Sequence, residues 1–113
     1  MKTHAFTAMG VHFHVIKMNQ SFILWIGHEE PKIDSLATAI SLPSRPPAAS
    51  KLMGHADWTT NFAQKLAVRT KHQVFVMADE LEPDEVPLSE KVVFQKLGTD
   101  PHIFLTESEE GVQ

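Results

Sequence analysis

The sequence predicts an α+β fold, in which one mainly antiparallel sheet carries its helices on a single face. Two apolar segments rich in β-formers flank the polar pair Asn19-Gln20, which is typical of a β-hairpin. Later in the chain, an amphipathic helical segment leads directly into the apolar run 74–77, and a second helical segment follows. Strands that precede helices in this order favour a sheet with segregated helices over alternating βαβ units.

The composition limits the classes of function. The 113 residues make one ordinary domain, and 42% of them are hydrophobic, which is enough for a core. The net charge is −4 with no basic stripe, so nucleic-acid binding has no electrostatic support. Because the chain has no cysteine, it cannot form disulfides or thiolate metal sites, nor use thiol catalysis.

The sequence also predicts where the protein acts. Its longest apolar run, residues 22–26, is too short to cross a bilayer. Residues 1–7 lack the apolar segment of a secretory signal. We therefore expect no membrane association and a cytoplasmic location, with the nucleus as a second compartment.

The first half of the chain is predicted to be rich in strands. The predicted elements are a strand over 3–8, the hairpin over 11–27 and a short strand over 48–53. Residues 33–42 fit both a helical period and a strand in which Leu36, Ile40 and Leu42 face one way. Pro43, Pro46 and Pro47 predict a loop between residues 33–42 and the strand over 48–53.

The second half predicts a helix, a strand and a further helix. The first helix has candidate caps at Asp57, Thr59, Thr60 and Asn61, the last forming a capping-box variant with Gln64, and ends near Lys71. An interior strand is expected over 73–78, covered on both faces, followed by a solvated acidic loop over 79–85.

The second helix is expected over 87–97, with Gly98 as its C-cap and with Leu88, Val92, Val93 and Leu97 packed inward. We expect residues 102–105 to dock weakly, which closes a single domain over 1–105, and the acidic residues 106–113 to form a disordered tail.

The hairpin has two distinct faces. With a loop at Asn19-Gln20, His14 lies opposite Trp25, whereas a three-residue loop would shift this pairing. Side chains alternate along a strand, so one face carries Phe13, Val15, Phe22, Leu24 and Ile26, which suit a core. The other carries His12, His14, Ile16, Ile23 and Trp25. The chain has too few helices to cover this second face, so we predict that these five residues contact a partner subunit.

The sequence gives little support for a catalytic or metal-binding site. His12 and His14 point the same way on a strand, which is a spacing that can chelate a metal, as in cupins. The glutamate and glycines of the cupin pattern are missing, so packed histidines are favoured over a metal-dependent enzyme. No serine lies in a nucleophile elbow, and no glycine-rich phosphate loop is present. We therefore expect no catalytic residues and no cofactor.

Four segments in this order carry a resemblance to a known family. They are VHFHV at 11–15, FILWIG at 22–27, FAQKLAVRT at 62–70 and QVFV at 73–76. Together they resemble the proteasome assembly chaperone 4 family. The resemblance implies a sheet of six strands in the order β-β-β-β-β-α-β-α, with residues 33–42 as a strand.

The resemblance also implies a function. Members of this family are not enzymes. They pair with proteasome assembly chaperone 3, and the heterodimer supports formation of the α-ring of the 20S proteasome. The expected partners are therefore a chaperone 3-like subunit and α-type ring subunits, with self-association as the alternative for the isolated chain. A metal-dependent enzyme using His12 and His14, and a homodimeric scaffold of another pathway, are the competing hypotheses.

Overall fold

A single six-stranded sheet organises the protein. The computed structural model describes residues 2–30, 32–41, 47–54 and 56–105. The elements are β1 (Lys2–Ala8), β2 (Val11–Met18), β3 (Ser21–Gly27), β4 (Ser35–Ile40), β5 (Ala48–Met53), α1 (Asp57–Thr70), β6 (Gln73–Ala78), α2 (Glu85–Thr99) and a 3₁₀ turn at Pro101–Ile103. This chain order confirms the predicted fold class. The predicted tail at 106–113 and the proline loop at 43–46 lie outside the described residues.

The strands are arranged in the order β1-β2-β3-β6-β4-β5. All neighbouring strands are antiparallel except β3 and β6, which are parallel. The parallel pair arises because α1 crosses over the sheet between β5 and β6. The ambiguous segment 33–42 contributes the strand β4, as the family resemblance implies.

The β2–β3 hairpin has the predicted register. His14 pairs with Trp25, and Val15 pairs with Leu24, around a turn in which Gln20 has a φ of 57°. The core side chains of the hairpin are therefore buried as expected. Those predicted for this face, Phe13, Val15, Phe22, Leu24 and Ile26, are each at most 1% exposed.

Both helices pack on this same face of the sheet. The buried side chains of α1 that join the core are Phe62, Ala63, Leu66 and Ala67, which lie at the predicted helical spacing. From α2, Val93 and Leu97 complete the cluster. Within the described residues, no helix is long and apolar enough to cross a membrane.

The start of α1 differs from the prediction. The helix begins at Asp57 with Ala56 as its N-cap, and no side chain caps it. Asn61, the predicted capping-box residue, lies inside the helix. Thr59 faces the core instead, where its Oγ1 lies 2.8 Å from Ser35 Oγ on β4. A tertiary hydrogen bond thus fixes this end of the helix in place of a local cap.

The bounds of α2 and the orientation of Leu88 differ from the prediction, whereas Val92, Val93 and Leu97 pack inward as predicted. The helix begins at Glu85 and continues through Gly98 to Thr99, so Gly98 is not the C-cap. The buried stripe of the helix runs through Ser89, Val93 and Leu97, four residues apart. Leu88 lies off this stripe and is 37% exposed, which contradicts its predicted inward packing.

The segment after α2 docks firmly, not weakly as predicted. Phe104 is completely buried, and its ring centroid lies 5.4 Å from that of Phe22. The ammonium of Lys17 donates hydrogen bonds to the carbonyls of His102 (2.5 Å) and Leu105 (3.1 Å). A buried lysine at the end of β2 therefore holds the C-terminal turn against the sheet.

Candidate partner interface

The sheet face opposite the helices is uncovered by any described element. We call it the open face; its apolar members are Ile16, Ile23, Trp25, Leu36, Ile40, Phe75 and Met77. Strand pairing makes them contiguous, because Phe75 lies beside Ile23, and Met77 lies between Trp25 and Leu36. Most of these side chains are only half-buried. The open face is thus an apolar surface that this chain's described residues leave in contact with solvent.

All five residues predicted to contact a partner lie on the open face. They are His12, His14, Ile16, Ile23 and Trp25, and the pairs His14–Trp25 and Ile16–Ile23 are direct cross-strand neighbours. The side chain of His14 is exposed, and those of His12, Ile16 and Ile23 are half-buried. Their role in binding remains a prediction.

Sequence reasoning missed the contribution of β6 and β4. The apolar run 74–77 was predicted to be covered on both faces, yet the described residues cover only the face of Val74 and Val76. Phe75 and Met77 point to the open face and are half-buried. Successive side chains of a strand point to opposite faces of the sheet. An apolar strand with one uncovered face has the same composition as a strand covered on both faces, so the sequence could not distinguish them.

Trp25 is held in a defined position at one end of the open face. Its indole Nε1 donates a hydrogen bond to the carbonyl of Lys32 (2.9 Å), and its ring centroid lies 5.3 Å from that of His14. The residue is only 7% exposed. Trp25 therefore forms a rigid wall at this end, and little of it is free for direct contact.

A pocket opens beside this wall. It has a volume of about 310 Å³ and is lined by His14, Trp25, Glu29, Ile33 and Met77. We call it the Trp25 pocket. Its lining is mainly apolar, and Ile33 is 46% exposed at its edge.

The hypothesis of a metal site at His12 and His14 requires a third ligand. His12 lies opposite Gly27, and His28, which follows Gly27, is the nearest candidate along the chain for a third ligand. His28 instead contacts Glu85 through Nε2 (3.1 Å) and Asp79 through Nδ1 (3.5 Å). Across residues 2–30, 32–41, 47–54 and 56–105, no group of three or more His, Asp or Glu side chains is placed to hold a metal ion.

The contacts of His28 join three elements and shift the pKa of each group involved. The hydrogen bond to Glu85, followed by the Coulombic attraction of both carboxylates, raises the pKa of His28. Burial alone would raise the pKa of Asp79, but hydrogen bonds from the Glu80 amide and from His28 lower it. The amide of Glu82 and then His28 lower the pKa of Glu85. The histidine thus links the ends of β3 and β6 to the start of α2.

Comparisons with known proteins identify one family that this chain resembles. The model of the family described as proteasome assembly chaperone 4 matches residues 10–79. The chain is 41% identical over 69 residues to proteasome assembly chaperone 4 of Mus musculus and of Homo sapiens, covering 58% of this chain and 55% of each relative. The chain thus spans about half the length of the curated relatives it matches.

A solved structure has the same fold. A chain in the crystal structure of a novel chaperone complex for yeast 20S proteasome assembly superposes with a TM-score of 0.59, over 88% of this chain and 91% of that one. The two sequences are 11% identical, so this likeness concerns the fold. The family match includes β2 through β6 and α1, and therefore most of the open face. On the strength of that match, the chain belongs to the proteasome assembly chaperone 4 family.

Proposed function

We propose that this protein is a non-catalytic assembly chaperone that pairs with a proteasome assembly chaperone 3-like subunit. The heterodimer promotes formation of the α-ring of the 20S proteasome through contacts with α-type ring subunits. It acts in the cytoplasm, with the nucleus as a second compartment. The open face of the sheet is the surface that binds the chaperone 3-like subunit.

The open face is the observation that carries this proposal. It combines an apolar centre around Ile23 and Phe75 with small and polar side chains at its edges. At the outer strands the small and polar residues are Thr3, Ala5 and Thr7 on β1 and Ala48 and Ser50 on β5, whereas Met53 on β5, which pairs with Leu36 and is 44% exposed, is apolar. An apolar core surrounded by a more polar rim is the usual anatomy of a protein interface.

The chemistry of this surface suits binding. Its central side chains are mainly aliphatic or aromatic, and the hydroxyl of Thr38, which pairs with Phe75, donates a hydrogen bond to the carbonyl of Val74 (3.1 Å). An interface of this type is stabilised by burial of apolar area, and large side chains that are still partly exposed, such as Phe75 and Met77, contribute most of it. The names of the relatives, and the chaperone complex that contains the structural neighbour, support the same function.

Co-expression with the chaperone 3-like subunit of the same genome tests the pairing. Size-exclusion chromatography with light scattering should give a complex of one copy of each chain, and the isolated chain should be measured alongside it for self-association. Purified α-type ring subunits should then form rings faster, or in higher yield, with the pair than without it. Absence of a complex at micromolar concentrations, together with unchanged ring yield, would overturn the proposal.

A further inference from the structure

The Trp25 pocket is large enough to accept one long side chain. Its volume of about 310 Å³ lies at the lower end of the roughly 300–1,000 Å³ found for small-molecule sites. Met77 and Ile33 supply apolar surface along its length, and Trp25 supplies an aromatic wall. Because Met77 belongs to the open face, the pocket is continuous with the proposed interface.

One acidic side chain lines this pocket, in which His14 is the other polar residue beside the apolar surface of Trp25, Ile33 and Met77. The acidic side chain is Glu29, which is exposed and has no ion pair or hydrogen bond within the described part of the chain. Its neighbour Glu30 differs, because that carboxylate lies 3.9 Å from Lys32 Nζ outside the pocket lining. Glu29 is thus an uncompensated negative charge at the edge of a mainly apolar cavity.

The surrounding segments reinforce this charge. Residues 28–30 and 32–34 follow β3, and residues 79–85 follow β6. These segments lie at the same end of the sheet because Asp79 N donates to Ile26 O at 3.0 Å. The acids in these segments, apart from Glu29, are Glu30, Asp34, Asp79, Glu80, Glu82, Asp84 and Glu85. Lys32 is the one lysine or arginine among them. This end of the sheet therefore carries a negative potential, which attracts a basic partner surface.

We propose that the Trp25 pocket receives a lysine or arginine side chain from the chaperone 3-like subunit. The aliphatic stem packs on Met77 and Ile33 beside the largely buried indole of Trp25, while the cation pairs with Glu29. A purely apolar side chain would cover Glu29 without compensating its charge, which costs free energy. This inference rests on the proposed function, because it names the residue type by which the partner is anchored.

The test measures affinity for the chaperone 3-like subunit with matched charge reversals. Glu29→Lys should weaken binding by about tenfold or more, since reversal replaces a close attraction with a repulsion. Glu29→Gln should weaken it less, and the loss should shrink as salt concentration rises. The control is Glu30→Lys, which makes the same charge change one residue away and should alter affinity by less than about threefold. Because Glu29 and Glu30 are both exposed, all three variants should have the wild-type circular dichroism spectrum and thermal midpoint.

A charge-swap experiment identifies the cation. Each lysine or arginine on the partner's interface is changed singly to glutamate, and the variant that loses affinity should regain it when paired with Glu29→Lys. If wild type binds but Glu29→Lys and Glu30→Lys bind equally well, no cation uses the pocket, and the inference is wrong while the pairing stands. If wild type itself does not bind, the proposed function fails and this inference fails with it.

Discussion

The indole of Trp25 lies directly over the α-carbon of Gly27. A Cβ added at Gly27 would come within 2.4 Å of Trp25 Cζ2 and 2.9 Å of Asp79 Cβ. These distances are far below van der Waals contact, so this position in β3 admits only glycine with the ring as placed. The pair Trp25 and Gly27 therefore sets the shape of the Trp25 pocket.

Gly27→Ala should move the Trp25 ring and destabilise the protein. The added methyl group overpacks a site that cannot expand freely, so we expect a loss of about 1–3 kcal/mol in the free energy of unfolding. Urea denaturation measures the loss, and the near-ultraviolet circular dichroism of the tryptophans reports the displaced ring.

Gly98→Ala is the matched control for the added methyl group. Gly98 lies inside α2, where a Cβ would meet no atom within 4 Å. Alanine should therefore stabilise the helix by about 0.5–1 kcal/mol. Equal effects of the two substitutions would contradict the close packing of Trp25 on Gly27.

His28 should make stability depend on pH in a predictable direction. Its raised pKa means that its stabilising contribution is complete below its ordinary value of 6.5 and is lost as pH rises through the raised value. The pKa values of Asp79 and Glu85 are lowered, so the stabilising contributions of these two carboxylates are complete above the ordinary pKa values of 3.8 and 4.5. Those contributions are lost as pH falls through the lowered pKa values. All three contributions are therefore complete between about pH 4.5 and 6.5.

His28→Gln tests this dependence. The difference in the free energy of unfolding between wild type and the variant should be larger at about pH 5.5 than at about pH 9. The same comparison in a Glu85→Gln background should show a smaller pH dependence, because the carboxylate that raises the pKa of His28 most has been neutralised. A difference that is flat across pH in both backgrounds would show that His28 does not couple to these carboxylates.

Lys17→Met should release the C-terminal turn. Methionine keeps the apolar stem but removes the donor to the carbonyls of His102 and Leu105. Hydrogen bonds from a charged group contribute about 1.5–3 kcal/mol, so we expect a loss of that size in the free energy of unfolding. Hydrogen exchange by mass spectrometry should show faster exchange in the peptide that covers residues 101–105.

Lys2→Met provides the control for Lys17→Met. Lys2 pairs with Lys17 across β1 and β2 but is exposed, so its replacement should leave exchange at residues 101–105 unchanged. Unchanged exchange in Lys17→Met as well would mean that Phe104 alone holds the turn.

The hairpin and the core stripe of α1 were predictable because local periodicity determines them. The register that pairs His14 with Trp25 follows from a two-residue turn, and strand alternation then sorts the side chains into a core set and an open set. The spacing of Phe62 and Leu66 likewise identifies the buried stripe of α1.

Long-range contacts account for what the sequence could not predict. Ser35 fixes the start of α1 through Thr59, although 24 positions separate the two residues. Lys17 holds the turn at His102 across 85 positions, and no local pattern signals that contact. The Trp25 pocket depends on the close approach of Trp25 to Gly27 and on strand β6, which joins β3 only in the folded sheet.

The role of the open face is tested most directly by comparing two variants, Ile23→Asp and Val68→Asp. The quantity measured is the affinity of each variant for the chaperone 3-like subunit. Ile23 lies at the centre of the open face, whereas Val68 is 44% exposed on α1, on the helical side of the sheet. We expect Ile23→Asp to weaken binding by at least about 30-fold, as for an interface hot spot, and Val68→Asp to leave it within about threefold of wild type. If both variants are folded and Ile23→Asp binds as tightly as Val68→Asp, the open face is not the surface that pairs with the partner.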